Sequence, residues 1–238
     1  MNTAHLPPLV QNEVHVWRIA TSRLMGEIQS LRETLSADEL ERANSYHFEH
    51  DRQCFIIARG ILRRLIARYT DSQPQHLNFQ YNSYGKPRLV ADTKHNQLNF
   101  NLSHSGGLIG LVFALDIAVG IDVEKVREDL DFLEIATHIF SERENNKLHG
   151  FHPARRRDAF FRCWTRKEAY IKGHGQGLSM PLKDFDVRLG KFDQPILSAT
   201  RHDRNAVFHW SIADLDLASG YIGALAIERP KCIFKYCQ

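Results

Sequence analysis

Three acidic residues in two separate stretches could form a site for a divalent cation. In the run 119–124, Val-Gly-Ile-Asp-Val-Glu, the alternation of apolar and acidic residues predicts a strand. Asp122 and Glu124 then project from one face, about 6.5 Å apart, because side chains alternate along a strand. The run 164–169, Trp-Thr-Arg-Lys-Glu-Ala, predicts a helix and supplies a third carboxylate, Glu168. Together these oxygens would suit Mg²⁺, which prefers oxygen ligands and retains waters and substrate phosphates around it.

The same residues also have a purely structural interpretation. Asp122 and Glu124 are compatible with a charged strand edge that deters aggregation. Glu168 stands four residues before Lys172, a helical ion-pair spacing that contributes about 0.3–0.5 kcal/mol. These residues alone therefore do not decide between a metal site and a structural role, and the metal site is a hypothesis.

Basic and polar residues elsewhere could contact phosphate groups. Arg52 and Arg59 are seven residues apart on one predicted helix and so share a face. They form either a solvated flank or a clamp for a terminal phosphate, which arginine grips with two hydrogen bonds. His104 and Ser103 lie in a Ser-His-Ser-Gly-Gly stretch that could contact phosphates through the ring, the hydroxyl and backbone N–H groups. A lone histidine is more often structural.

Several elements that must position these residues are visible in the pattern. Residues 13–20 alternate in the manner of a half-buried strand, and Ser36 with Glu39 forms a capping box that starts a helix. An apolar stripe predicts a long helix over 51–69. Strands are predicted over 98–102 and 108–115, with residues 103–107 as a tight loop between them.

The pattern then repeats along the chain. A shift of 105 residues places Val14 on Val119, the capping box at 35–39 on residues 140–144, and Phe55 on Phe160. A shift of 113 residues places Gly107-Leu-Ile-Gly-Leu on Gly220-Tyr-Ile-Gly-Ala. Four matches in order favour an internal duplication. We therefore predict an α+β fold of two tandem halves, residues 1–117 and 118–238, related by a pseudo-two-fold axis and enclosing a ligand cleft.

The composition limits the class of protein. The 238 residues are 43% apolar and 25% charged, which is ordinary for a globular protein. No apolar run is long enough to cross a bilayer, and the four scattered cysteines predict reduced thiols in the cytoplasm. The net charge of +3 is too small for a nucleic-acid footprint, but it suits an acidic partner or phosphorylated ligand. The thirteen histidines show no zinc-finger spacing.

Taken together, the motifs closely resemble the Sfp-type 4′-phosphopantetheinyl transferases. The resemblance extends from about residue 13 to residue 227, in the order of the family. Its motifs are Tyr84-Gly-Lys-Pro, Phe100-Asn-Leu-Ser-His-Ser, Gly120-Ile-Asp-Val-Glu, Trp164-Thr-Arg-Lys-Glu-Ala-Tyr-Ile-Lys and Gly175-x-Gly-Leu. Members of this family have a duplicated α+β fold. They move the phosphopantetheine arm of coenzyme A onto a serine of an apo acyl or peptidyl carrier protein and release adenosine 3′,5′-bisphosphate.

The resemblance also implies roles for individual residues. It implies that Asp122, Glu124 and Glu168 hold Mg²⁺ against the pyrophosphate of coenzyme A, with Glu124 as a direct ligand or one acting through water. Glu168, or a water that it orients, would take the proton of the carrier serine, and Lys172 would stabilise the departing phosphate oxygen. The implied contacts to coenzyme A come from Asp122 and Lys172 and from Arg52, Arg59, Lys86, Ser103 and His104. Glu39 and Arg42 stand where some relatives carry lysines, so an adenine-side contact is not implied here.

Two other functions remain open from the sequence. A Mg²⁺-dependent nucleotide phosphohydrolase could use the same three carboxylates with water as the nucleophile. A non-catalytic nucleotide-binding or RNA-binding module would not need Glu168, and the modest charge argues against RNA. We expect a monomer, because an internal pseudo-dimer already holds both sides of the cleft in one chain.

Overall fold

The computed structural model describes residues 7–90, 97–191 and 196–237. The α-helices in these ranges are α1 Ile28–Arg32, α2 Ala37–Asn44, α3 Glu49–Tyr69, α4 Phe132–Ile139, α5 Glu142–His149, α6 Pro153–His174 and α7 Ala206–His209. The strands are β1 Glu13–Ala20, β2 Asn78–Tyr81, β3 Pro87–Val90, β4 Leu98–Ser105, β5 Leu108–Leu115, β6 Val119–Lys125, β7 Phe185–Val187, β8 Leu197–Thr200, β9 Ser211–Asp214, β10 Tyr221–Ile227 and β11 Ile233–Cys237. The strand predicted at 13–20 is confirmed, and the long helix predicted from Asp51 begins two residues earlier.

The main elements form four layers in the order helix, sheet, sheet, helix. The first sheet has the strand order β11-β1-β5-β4 and the second has the order β6-β10-β9. α3 packs on the outer face of the first sheet, and α6 packs on the outer face of the second. An apolar layer that includes Val14, Val16, Ile121 and Val123 fills the space between the sheets. The predicted α+β class is confirmed.

The two sheets share one pattern of strand pairing. β1 pairs antiparallel with β5, with Val14 opposite Ala114, and β6 pairs antiparallel with β10, with Val119 opposite Ile227. The step from Val14 to Val119 is 105 residues and the step from Ala114 to Ile227 is 113 residues, the two shifts of the sequence repeat. This agreement supports an internal duplication. The division at residues 117 and 118 and the pseudo-two-fold axis remain our proposal.

One strand crosses that proposed division. β11 pairs in parallel with β1, from Glu13 opposite Ile233 to Trp17 opposite Cys237. Residues 233–237 belong to the second half by sequence, yet they add an edge strand to the sheet of the first half.

Each half joins a short capped helix to its long helix through buried charges. The predicted capping box at α2 is present, and so is its counterpart at α5. The capping glutamates, Glu39 and Glu144, are both buried. Glu39 pairs with Arg59 and Arg63 of α3, and Glu144 pairs with Lys167 of α6. These ion pairs fix the position of each long helix relative to its capped helix.

The prediction of a loop over residues 103–107 is wrong, because β4 continues through Ser103, His104 and Ser105. Ser105 still pairs with β5, so only Gly106 and Gly107 form the turn. Both glycines have positive φ, 54° and 87°, as a two-residue hairpin turn of the I′ type requires. Ser103 and His104 are therefore held on a regular strand, with side chains that alternate in direction.

Gly120 allows β6 to lie directly against α6. A Cβ at this position would collide with the backbone of Ala169 and Gly173. We expect Gly120→Ala to lower the free energy of unfolding by about 1–3 kcal/mol, the usual cost of overpacking, because neither contact is with a flexible side chain. Chemical denaturation measures the change. Gly26→Ala is the matched control, since a Cβ at Gly26 meets nothing within 4 Å; equal stability of the two variants would contradict the close approach.

Candidate active site at the junction of the two sheets

The candidate site lies where the edges of β4 and β6 meet. The two strands belong to different sheets, and side chains of β4 accept hydrogen bonds from backbone N–H groups of β6. The three contacts are Asn101 Oδ1 with Ile121 N (2.9 Å), Ser103 Oγ with Val123 N (3.3 Å) and Ser105 Oγ with Lys125 N (3.1 Å). We call this set of contacts the polar ladder. It joins the edge of β6 to the edge of β4.

Asp122 is the most buried of the three carboxylates, with 2% of its surface exposed. Its Oδ1 accepts from the Ser103 hydroxyl at 2.9 Å and from the Lys172 ammonium at 2.6 Å. Lys172 Nζ also lies 3.1 Å from Ser103 Oγ. The second oxygen, Oδ2, is buried and has no hydrogen-bond partner. Buried polar side-chain atoms rarely lack a partner, and a bound water or ion is one common explanation where they do.

Glu124 is held by two neutral donors. The Ser105 hydroxyl donates to Oε2 at 2.8 Å, and the indole N–H of Trp164 donates to Oε1 at 3.3 Å. Burial raises the pKa of the Glu124 carboxyl, and the neighbouring charge of Asp122 raises it further. The hydrogen bonds from Ser105 and Trp164 act in the opposite direction because they stabilise the ionised form.

Glu168 projects from α6 toward the same region. Burial raises the pKa of its carboxyl, the Lys172 ammonium lowers it, and the charges of Asp122 and Glu124 raise it. The helical spacing allowed Lys172 to pair with Glu168, but the ammonium instead pairs with Asp122 across the helix–strand contact. The three predicted acidic residues and Lys172 thus influence one another electrostatically.

The carboxylates at this junction match a divalent cation in chemistry but do not form a closed cluster of ligands. In the part of the chain that the structure describes, no three His, Cys, Asp or Glu side chains stand close enough together to hold one ion. Each Glu124 oxygen accepts one hydrogen bond, from Ser105 or from Trp164, which leaves a lone pair on each oxygen to ligate an ion directly or through a water. The unpartnered Asp122 Oδ2 and the mutual repulsion of the carboxylates nevertheless fit a hard cation.

His104 lies on the opposite face of β4 from the polar ladder, at the side of α3. The side chain is exposed, yet the surrounding protein and the Lys172 ammonium both lower the pKa of its imidazole, while Asp51 raises it. Arg52 is partly exposed, with 41% of its side-chain surface accessible, and it pairs with Glu49 one helical turn earlier. His104 and Arg52 are therefore accessible to a ligand.

Arg59, the other arginine of the predicted clamp, is already engaged. It is buried, and its guanidinium donates to Glu39 Oε1 at 2.5–2.8 Å and to the Tyr81 hydroxyl at 2.8 Å. Although Arg52 and Arg59 share a helix, Arg52 is partly exposed and Arg59 is buried. A phosphate could reach Arg59 only by displacing a buried ion pair.

Lys86 connects the two sides of the junction. Its ammonium donates to Gly173 O at 2.9 Å and to Val119 O at 3.2 Å. A cavity of about 420 Å³ lies beside it, lined by the β2–β3 hairpin, β4 and the C-terminal end of α6. The cavity lining does not include Asp122 and Glu124 of β6 or Glu168 of α6. Burial lowers the pKa of Lys86 to about 8.

This shift predicts a pH dependence of stability. The pKa of Lys86 is about 8 in the folded protein and about 10.4 in an unfolded chain. Between these values the unfolded state binds more protons, so the contribution of Lys86 to the free energy of unfolding rises with pH. We expect wild type to gain thermal stability relative to Lys86→Met from pH 7.5 to pH 10. Lys231→Met, at an exposed position, is the control; parallel curves for all three proteins would contradict the prediction.

Some structurally important residues were not predicted from the sequence. Asn101 and Ser105 belong to the polar ladder with Ser103, and their signal was the alternation Asn-x-Ser-x-Ser at positions 101, 103 and 105. Arg166 is fully buried and donates two hydrogen bonds to Asp214, from Nε to Oδ1 at 2.8 Å and from Nη2 to Oδ2 at 2.7 Å. No local pattern signals such a pairing, because the partners are 48 residues apart.

Comparisons with known proteins identify the family of the chain. A family profile described as "4′-phosphopantetheinyl transferase superfamily" matches residues 118–226, and one described as "4′-phosphopantetheinyl transferase, N-terminal" matches residues 21–114. The chain belongs to the 4′-phosphopantetheinyl transferase superfamily. Among its relatives are Sfp-type members, which confirms the resemblance seen in the sequence.

Two relatives illustrate the extent of the similarity. The 4′-phosphopantetheinyl transferase HetI of Nostoc sp. is 34% identical over 219 residues, which cover 92% of this chain and 89% of that protein. The 4′-phosphopantetheinyl transferase Sfp of Bacillus subtilis is 32% identical over 155 residues, 65% of this chain and 66% of Sfp. A solved structure, the holo-[acyl-carrier-protein] synthase of Thermotoga maritima, matches with a TM-score of 0.38 and 23% identity, over 48% of this chain and 64% of that one.

Among the described residues, no helix combines the length and apolar character needed to cross a bilayer.

Proposed function

We propose that the protein transfers the 4′-phosphopantetheine group of coenzyme A to a serine of an apo acyl or peptidyl carrier protein, with Mg²⁺, and releases adenosine 3′,5′-bisphosphate. The observation that carries this proposal is the buried, unpartnered Oδ2 of Asp122 beside Glu124, Glu168 and Lys172. Membership of the transferase superfamily supports the same reaction.

The metal would be held by Asp122 and Glu168, with Glu124 as a direct ligand or one acting through water. When bound, Mg²⁺ supplies charge neutralisation and Lewis-acid activation of the pyrophosphate. Ser103 and Lys172 orient Asp122, and so hold its free oxygen in a fixed direction.

The remaining chemistry falls to residues of α6. Glu168 takes the proton of the carrier serine as the serine oxygen bonds to the β-phosphorus of coenzyme A. The bond from that phosphorus to the bridging oxygen breaks, and the bisphosphate leaves with the electron pair. The raised pKa of Glu168 makes it a stronger base than an ordinary carboxylate. Lys172 stabilises the charge on the departing oxygen.

The phosphates of coenzyme A would be bound at this junction by the accessible His104 and Arg52, together with Lys86 and the buried Ser103, which already have partners within the protein. Arg59 is a weaker candidate because of its buried contacts with Glu39 and Tyr81. The free state of Cys54, Cys163, Cys232 and Cys237 supports a reducing compartment such as the cytoplasm. We propose that the protein acts as a monomer, since β4 and β6, the two strands that meet at the junction, belong to one chain.

The decisive experiment incubates the protein with Mg²⁺, coenzyme A and an apo carrier protein, followed by mass spectrometry of the carrier. We expect a mass gain of one phosphopantetheine, which is lost with EDTA or when the carrier serine is replaced by alanine. Bisphosphate release without any carrier would instead identify a phosphohydrolase. No reaction at all would contradict both.

A further inference from the structure

The polar ladder has a second set of contacts that connects it to the acidic residues. The Ser103 hydroxyl accepts from Val123 N–H and donates to Asp122, the residue that precedes this N–H. The Ser105 hydroxyl accepts from Lys125 N–H and donates to Glu124 in the same way. Each serine therefore links one backbone group of β6 to one carboxylate of β6.

The hydroxyl geometry determines the direction of these bonds. A serine hydroxyl has one donor and two acceptor sites, and a backbone N–H can only donate. Ser105 Oγ therefore accepts from Lys125 N, and its own proton is left for Glu124 Oε2 at 2.8 Å. The opposite oxygen of Glu124 accepts from the Trp164 indole. The carboxylate is thus fixed at both oxygens, one toward β4 and one toward α6.

Asn101 completes the ladder without this second contact. Its Oδ1 accepts from Ile121 N–H at 2.9 Å in a buried position. The residue before this N–H is Gly120, which has no side chain to receive a bond. Asn101 thus contacts only the backbone of β6, whereas Ser105 contacts the backbone of β6 and also holds a carboxylate.

We propose that Ser105 is a positioning residue that sets the orientation of Glu124 and thereby tunes the affinity of the acidic site for a divalent cation. The inference rests on the proposed function only in taking Asp122, Glu124 and Glu168 as the cation site. Groups that orient the ligands of a metal commonly alter its affinity 10–100-fold when they are removed.

The test measures Mn²⁺ binding by electron paramagnetic resonance, with and without coenzyme A, and needs no turnover. We expect Ser105→Ala to weaken Mn²⁺ binding about 10-fold or more. Ser105→Thr keeps the hydroxyl on a residue that suits a strand, so it should restore the wild-type affinity. Asn101→Ala is the matched control: it should lower the melting temperature, because Ile121 N–H loses its partner, with Mn²⁺ affinity within twofold of wild type.

The outcomes separate this inference from the proposed function. A Ser105→Ala protein that is folded and binds Mn²⁺ as wild type does would overturn the positioning role, and so would an equal loss of affinity in Asn101→Ala. Wild-type protein that loads a carrier but binds no Mn²⁺ would also overturn it. Ser105-dependent Mn²⁺ binding without any carrier loading would support the positioning role and overturn the proposed transfer.

Discussion

Replacing Glu168 by glutamine is expected to reduce the rate of carrier loading by about 10²–10⁴-fold, the usual contribution of a positioned general base. Glutamine keeps the size and the hydrogen-bonding shape of the side chain but cannot accept the serine proton. It also removes one of three negative charges near the proposed cation. Initial rates of carrier mass gain, at saturating coenzyme A and Mg²⁺, measure the effect.

The same substitution should leave the fold intact. Burial and the charges of Asp122 and Glu124 oppose ionisation of Glu168, so a neutral side chain relieves repulsion in the folded state. We therefore expect the melting temperature of Glu168→Gln to equal or exceed that of wild type in the absence of metal. Glu33→Gln, at an exposed position, is the matched control for both measurements. Full carrier-loading activity of folded Glu168→Gln would refute its role as the base and indicate another proton acceptor.

Replacing Lys167 by methionine is expected to lower the free energy of unfolding by about 3–5 kcal/mol, because it leaves buried Glu144 without its charge partner. The Lys167 ammonium lies 2.9 Å from Glu144 Oε2 and donates to Leu182 O at 2.7 Å and to Phe185 O at 2.6 Å. All three partners lose this donor. At about 2–4 °C per kcal/mol for a chain of this size, the melting temperature should fall by about 6–20 °C.

A second substitution distinguishes the electrostatic cause from lost packing. Glu144→Gln in the Lys167→Met background removes the unpaired charge while its amide oxygen can still accept from Val187 N–H. We expect the double variant to be more stable than Lys167→Met alone. Lys183→Met, an exposed lysine on the neighbouring segment, should change the free energy of unfolding by no more than about 0.5 kcal/mol. A loss of stability in Lys167→Met as small as in this control would contradict the buried ion pair.

The parts of the fold that could be predicted are those in which local chemistry and tertiary packing agree. The capping box at Ser36 and Glu39 needs only residues three apart. The alternation in 119–124 predicted that Val119, Ile121 and Val123 face away from Asp122. In the structure the three apolar residues lie in the layer between the sheets, and Asp122 lies on the side of α6. The repeat shifts also matched the register of β1 with β5 and of β6 with β10.

The predictions that failed or were missing depended on distant partners. Ser103 and Ser105 read as loop residues, because Gly and Ser favour turns, but pairing with β5 extends the strand to Ser105. The missing partner of Arg59 is Glu39, twenty residues away, which accepts from its guanidinium; the contact of Arg59 with phosphate stays a prediction. A sequence pattern reports which face a residue occupies, but not which partner from another element reaches that face first.

The pairing of β11 with β1 has a consequence for the order of folding. Glu13 and Ile233 are neighbours in the first sheet, although almost the whole chain separates them. During synthesis this edge of β1 remains open until the ribosome has made residues 233–237. Because closing so long a loop costs entropy before any contact forms, we expect this sheet to be completed late and slowly. A nascent chain stalled before β11 should therefore expose β1 to chaperones and proteases.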